Sequence, residues 1–329
     1  MERRMHLLII GAAGMIGQKL VGRLARDPRI GGRHIERMTL QDVVEPTAPK
    51  DASFKVLTRA GDISVPGEAA ALMADAPELI FHLAAVVSGE AETDFEKGYR
   101  INLDGTRLLL EAIRAHGHKP KVVFTSSIAV FGAPFPPAIP DEFHLTPLTS
   151  YGTQKAIGEL LLADYTRRGF LEGVGIRLPS IVVRPGKPNK AASGFFSNII
   201  REPLAGMEAV LPVPDTVLHT HASPRAAVGF LLHAAELPQE KIGPRVGITM
   251  PGVCCTVAEQ IAALKRVAGD KAVARIRRAE DPLVAKIVAG WPSRFDAKRA
   301  LALGFRAEKD FEEIIRIHIE DELGGKIAA

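Results

Sequence analysis

Residues 6–17 read His-Leu-Leu-Ile-Ile-Gly-Ala-Ala-Gly-Met-Ile-Gly, and this stretch decides the fold. The apolar run from His6 to Ile10 has the form of a buried parallel strand. Beyond it Leu20, Val21 and Leu24 recur at helical spacing. Between the two, Gly11, Gly14 and Gly17 make a G-x-x-G-x-x-G junction. Glycine there lets the chain turn tightly and brings the helix N-terminus up against a pyrophosphate. Met15 and Ile16 open that helix and count with the glycines as ligand-contacting positions. The spacing differs from the commoner G-x-G-x-x-G.

Working outward, a second strand over Arg37–Asp42 ends in a carboxylate. Asp42 can accept hydrogen bonds from both ribose hydroxyls of an adenosine and would repel a 2′-phosphate, which argues for NAD over NADP. It lies farther from Gly11 than the ~20 residues usual for this fingerprint, and a Gly31-Gly32-Arg33 loop would supply the extra length. A third strand near Phe54–Thr58 runs to Asp62 and Ile63, followed by a short helix around Gly67–Met73. Asp62 suits either an adenine amine or a turn. A fourth strand, Leu79–Ala85, ends in Leu83, Ala84 and Ala85, small enough to let a cofactor approach; His82 within it reads as a core histidine. Ser88 follows in a loop at the same rim. A long helix, Asp94–His116, carries Asn102, which either reaches the site as a cofactor contact or faces water. The fifth strand, Lys121–Ser127, ends in hydroxyls.

Four strand–helix alternations before Tyr151 imply an α/β, Rossmann-like doubly wound parallel sheet with right-handed crossovers. Ligands of such sheets bind outside the carboxyl ends of the strands. The expected division is a nucleotide-binding domain over 1–178, to which segments near 222–250 return, and a smaller, partly interleaved substrate-binding domain over most of 179–329. A sixth strand is expected within 174–184 and a terminal amphipathic helix over 306–322, with Trp291, Phe295 and Phe305 in the core.

At that rim the segment 150–155, Ser-Tyr-Gly-Thr-Gln-Lys, opens a helix running to about Arg168. Tyr151 and Lys155 stand one turn apart on one face. A free phenol titrates near ~10, and an adjacent ammonium favours the phenolate. The pair is therefore a proton-transfer device for an alcohol or carbonyl.

Composition sets the outer bounds. The chain has 329 residues, with 47% hydrophobic and 24% charged, as in an ordinary globular protein. Its net charge of +4 is spread over interspersed acids and bases, without the basic block that nucleic acid requires; small anionic ligands suit it better. Cys254 and Cys255 are adjacent and too close for an unstrained disulfide, so they read as reduced thiols, and no metal site is expected. No apolar run approaches the ~18 residues of a membrane span. The N-terminus lacks a convincing cleavage site, which makes the expected location cytoplasmic.

Gly11-x-x-Gly14-x-x-Gly17, Leu83-Ala84-Ala85, Ser126-Ser127 and Tyr151-x-x-x-Lys155, in this order, resemble the extended short-chain dehydrogenase/reductases. The resemblance implies that Ser127 orients the substrate and Tyr151 is the acid/base. It implies too that Lys155 tunes Tyr151 and binds the nicotinamide ribose, and that the protein is a homodimer. Segments 81–90, 125–134, 184–189 and 221–225 are similar to a sugar-acid branch of that family, implying NAD-dependent oxidation of a four-carbon sugar acid at its 2-hydroxyl. Arg184, Lys187, Asn189, Ser193, His219, His221 and Arg225 are then candidates for a carboxylate pocket, with arginine favoured for its bidentate fork.

The alternative is a nucleotide-sugar epimerase with tightly held NAD. Residues 184–189, Arg-Pro-Gly-Lys-Pro-Asn, depart from the Asn-x-Tyr-Gly-Pro pattern such enzymes often carry. A dehydratase would want acids after the strand-end hydroxyl, where Ile128 and Ala129 stand. A non-enzymatic dinucleotide sensor would have lost Ser127, Tyr151 or Lys155, and all three are present.

Overall fold

The structure, a computed structural model, describes residues 4–186 and 193–328. The chain divides into two compact units, one of Met1–Val130, Thr149–Arg177 and Val228–Ile248, the other of Phe131–Leu148, Leu178–Ala227 and Thr249–Ala329. In chain order the first unit begins β1 (Arg4–Ile10), α1 (Met15–Arg26), β2 (Arg29–Ile30), β3 (Arg33–Asp42), β4 (Lys55–Ala60), α2 (Glu68–Met73) and β5 (Leu79–His82). There follow α3 (Ser88–Thr93), α4 (Phe95–Gly98), a π-helical turn (Tyr99–Asp104), α5 (Gly105–His116) and β6 (Lys121–Ser127). An excursion into the second unit holds β7 (Ile139–Pro140), after which α6 (Ser150–Arg167) and β8 (Glu172–Leu178) return.

The main sheet runs β12-β8-β6-β5-β1-β3, where β12 is Gly247–Thr249; β4 also pairs with β3, and β2 makes a short antiparallel hairpin with it. The β1–β3, β1–β5, β3–β4 and β5–β6 pairings are all parallel. Sequence neighbours step outward on one side of β1 and then resume on its other side at β5. That reversal is where such a sheet opens a ligand crevice.

Leu8 and Ile10 of β1, Ile80 of β5, and Val122 and Phe124 of β6 share one core with Leu72, Leu109, Ile113 and Leu162 from α2, α5 and α6. Leu7, Ile9 and Phe81 point to the opposite face and are buried as well. Burial on both faces explains why these strands are continuously apolar rather than alternating.

Several expected bounds move. The second strand starts at Arg33, because Gly31 and Gly32 take positive φ (56° and 74°) and turn a hairpin rather than a loose loop. The fourth strand stops at His82, short of Leu83–Ala85. The long helix expected over Asp94–His116 is broken into α4, the π-helical turn and α5.

In the second unit β9 (Ser180–Ile181) pairs with β11 (Leu218–Ala222), which pairs with β13 (Val253–Thr256). The single strand expected within 174–184 is therefore two, divided between sheets. Phe195, Phe196, Ile199 and Ile200 of the helix Gly194–Leu204 pack with Phe311, Ile314 and Ile315 of the terminal helix Phe311–Leu323. Phe305 is buried, whereas Trp291 and Phe295 are half-buried. Among the described residues no helix is long and apolar enough to cross a membrane, and no group of acids, histidines and cysteines could hold a metal.

Candidate active site

The glycine junction is tight enough to fix its own sequence. Gly11 has φ of 91°, and a Cβ there would meet the Ala84 amide nitrogen at 2.6 Å. A Cβ on Gly17 would lie 2.2 Å from the Gly11 carbonyl oxygen. Gly14 caps α1 without any side-chain hydrogen bond, and the first turn of α1, which begins with Met15 and Ile16, holds no acid. The amides of that turn are thus left for an anionic ligand, with the positive end of the helix dipole behind them.

Asp42 stands beside this turn. Its Oδ2 accepts from the Ala13 amide at 2.9 Å and its Oδ1 from the Val43 amide at 2.7 Å. A carboxylate has about four lone-pair sites, so capacity for two ribose hydroxyls remains. Asp62 accepts from the Ser64 amide at 2.9 Å and from Arg100 at 2.6 Å. Its carboxyl is held below the usual range: burial works against this, and hydrogen bonds from Ser64 and Arg100 outweigh it. Ile63 is buried beside it. An uncapped helix terminus, a carboxylate at the end of β3 and small residues at Ala84–Ala85 together fit a dinucleotide.

Asn102, expected to contact the cofactor or face water, has its side chain engaged within the protein. Asn102 is buried, accepts from the Val86 amide at 2.9 Å, and donates to the Val86 carbonyl at 3.2 Å and to Gln154 at 2.7 Å. Both amide protons and the oxygen are committed. Asn102 therefore ties the loop after β5, which leads to Ser88, to the helix that carries Tyr151 and Lys155.

Three consecutive residues of β6 face α6. Ser127 is half-buried; its hydroxyl lies beside Tyr151, near enough to draw the phenol's pKa down, and accepts from the Ala129 amide at 3.1 Å. The Thr125 carbonyl accepts from Lys155 Nζ at 2.8 Å. Ser126 is buried and donates to Glu159. The geometry thus gives the two serines different tasks. Thr149 supports the helix start by accepting from the Gly152 amide at 3.0 Å.

The expected lowering of the Tyr151 phenol by Lys155 is reversed. Burial pushes Tyr151 up to about 12, against a downward pull from its hydrogen bond with Ser127. Lys155 Nζ lies 5.8 Å from the Tyr151 ring centroid and 4.8 Å from that of Phe124. Burial brings Lys155 itself down to about 7, and the negative charge of Glu159 opposes that fall. His82, 5.6 Å from Phe124 between ring centroids, is driven down to about 3 by burial and then by the charge of Lys155.

Sequence reasoning missed Glu159 and Arg177. Arg177 on β8 grips Glu159 through Nε at 3.0 and 3.1 Å and Nη2 at 2.7 Å, with both side chains buried. The available signal was that Glu159 follows Tyr151 and Lys155 at i+8 and i+4, on the same buried helix face.

The candidates for substrate contacts are scattered. Ser88 is half-buried at the start of α3. Arg184, in the second unit, donates to Ser193 at 3.1 Å and pairs with no carboxylate among the described residues. Burial and the neighbouring Arg201 both lower its pKa. Arg225, also expected to contact substrate, is exposed and bound to Asp321 at 2.5 Å and Glu320 at 2.9 Å. His219 and His221 are fully buried against Phe196 rather than lining a polar pocket. Lys187 and Asn189 lie outside the described residues.

Comparison with known proteins agrees with this geometry. Residues 7–225 match the NAD dependent epimerase/dehydratase family. The chain is 48% identical to the D-erythronate dehydrogenase of Cupriavidus necator, covering 96% of this chain and 98% of that one. It is 40% identical to the D-erythronate dehydrogenase of Haemophilus influenzae, over 97% of this chain and 100% of the other. A crystal structure described as a nucleoside-diphosphate-sugar epimerase from Agrobacterium tumefaciens superposes with a TM-score of 0.97 at 63% identity, covering 98% of this chain and 96% of that chain. With a Rossmann-like sheet, a glycine-rich turn and an acid at the end of β3, the chain is an NAD-dependent oxidoreductase and belongs to the NAD dependent epimerase/dehydratase family, the extended short-chain dehydrogenase/reductases.

Proposed function

We propose that the protein oxidises the 2-hydroxyl of a four-carbon sugar acid, D-erythronate, to the 2-oxo acid. NAD supplies the hydride acceptor. Ser127 holds the substrate oxygen, Tyr151 takes the hydroxyl proton as the C2 hydride departs, and Lys155 positions and charges the site. The carrying observation is the Ser127 hydroxyl beside the Tyr151 phenol, with Lys155 one turn along the same helix face. Alignment of this kind accounts for much of a barrier's reduction. The substrate class rests on the two D-erythronate dehydrogenases, which the chain matches over nearly its whole length. Arg184 is the carboxylate-binding candidate, because no acid among the described residues neutralises it.

A second reading, a nucleotide-sugar epimerase, is favoured by the description of the 63% identical structure. The two separate in one experiment: purified protein is mixed with D-erythronate and NAD, with NADP, L-threonate and a UDP-sugar as comparators. Reduced nicotinamide with erythronate and NAD alone is the expected outcome. A changed UDP-sugar with NAD retained through gel filtration would replace this function with the epimerase.

A further inference from the structure

A buried ion pair lies directly beneath the proton-transfer pair and takes no part in the chemistry described so far. Along α6, Tyr151, Lys155 and Glu159 follow one another at intervals of four residues, so they stack on one face of the helix. Lys155 is 2% exposed and Glu159 4%. The Glu159 carboxylate accepts from Arg177 of β8 through two nitrogens and from Ser126 of β6. Ser126 sits between Thr125, whose carbonyl holds Lys155, and Ser127, which holds Tyr151. The packing reaches a third strand: a Cβ on Gly247 of β12 would lie 2.4 Å from Glu159 Oε2 and 2.8 Å from Arg177 Nη2.

A buried ion pair is weak support for stability, because apolar residues of similar volume often do as well. Its geometry here matches another use. Resting on the Tyr151–Lys155 reading above, we propose that Glu159, held by Arg177 and Ser126, is a positioning residue that favours the ammonium form of the buried Lys155 and fixes the β6 end against α6. Arg177 makes the buried carboxylate tolerable, and Lys155 lies one turn away on the same helix face, within reach of its charge. Among the described residues around Lys155, Glu159 is the carboxylate. His82 of β5 is neutral or adds repulsion, Arg177 of β8 is a cation held by Glu159, β6 offers the Thr125 carbonyl and the Phe124 ring, the π-helical turn presents the neutral Asn102, and Tyr151 is the other titrating group on α6. Burial alone drives Lys155 toward deprotonation, and Glu159 is what opposes it.

The test uses Glu159→Gln, which keeps the shape and one accepting oxygen, removes the charge and gives up the Arg177 or Ser126 hydrogen bond made to the other oxygen. Without Glu159 the pKa of Lys155 falls further, the phenolate of Tyr151 loses its counter-charge, and the rising limb of the kcat/KM profile moves alkaline by about one pH unit or more.

A second readout needs no turnover. A lysine with a depressed folded pKa makes stability rise with pH from that pKa toward its unfolded value. Lowering it further costs stability only where wild-type Lys155 is charged. The Tm deficit of Glu159→Gln should therefore be larger below about pH 7 than above it. If the single variant does not fold, Glu159→Gln with Arg177→Met removes both buried charges and is read the same way. A folded variant with the wild-type pH profile and a Tm deficit flat in pH overturns the proposal. Tyr151→Phe is run beside it. Full turnover in Tyr151→Phe would sink the underlying site reading, whereas an inactive Tyr151→Phe with an unshifted Glu159→Gln would sink only the role of Glu159.

Discussion

In the proposed mechanism Tyr151 takes the substrate proton, and its environment makes a sharp demand. Burial holds the phenol up at about 12, so it works as a base only if positive charge reaches it when substrate and cofactor are in place. Replacing it by phenylalanine keeps the ring and removes only the hydroxyl shared with Ser127. We expect Tyr151→Phe to lose about 10²–10⁴-fold in kcat, the usual worth of a positioned acid–base group. NAD binding, measured by fluorescence titration, should stay within about twofold, because Asp42 and the glycine turn make no contact through that hydroxyl. An equal loss of NAD affinity would mean that Tyr151 is a binding group first. Tyr151, Lys155 and Ser127 were legible because each has a distinctive chemistry at a fixed spacing. Glu159 and Arg177 were not, since a Glu inside a helix and an Arg inside a strand look like ordinary surface charge until the fold buries both.

Among the elements, the break between α4 and α5 is the feature no periodicity announces. Residues 94–116 carry the pattern of one continuous helix, yet the structure inserts a π-helical turn at Tyr99–Asp104. Such insertions are rare and often mark functional sites. Here the turn buries Asn102, which then joins Val86 to Gln154. Asn102→Ala leaves the buried Val86 amide without its acceptor, at a cost of about 1–3 kcal/mol. Thermal unfolding should record that loss, and because the same residue braces the loop beside α6, turnover should fall by more than NAD binding. Unchanged Tm would mean that Val86 finds another acceptor. The remaining elements were legible in proportion to their burial. β6 was read to the residue because Val122, Val123 and Phe124 are apolar and the strand then ends in three hydroxyl residues, Thr125, Ser126 and Ser127. The strand expected across 174–184 failed because both of its halves are apolar, and only tertiary pairing divides β8 from β9.

For the whole molecule, acid sensitivity follows from histidines that the fold keeps neutral in both units. Burial lowers His82 to about 3 and His219 to about 4, and pushes His221 well below its ordinary 6.5. The unfolded chain therefore binds more protons than the folded one below pH 6.5, and stability falls as pH drops through that window. Tm should decline from pH 6.5 toward 4, while the buried Lys155 makes it rise gently above pH 7; a Tm constant from pH 6.5 to pH 4 would mean that these histidines are not buried in solution. The exposed ion pairs, such as Arg167–Asp164 and Arg277–Glu208, are each worth at most about 1 kcal/mol, so they do not mask the decline. The central claim, hydride transfer from C2 of a sugar acid to NAD, is tested most directly with D-erythronate carrying deuterium at C2. The account predicts one deuterium recovered in the reduced nicotinamide and a product that is the 2-oxo acid. Deuterium kept in the product or lost to water, with no reduced nicotinamide formed, would contradict it.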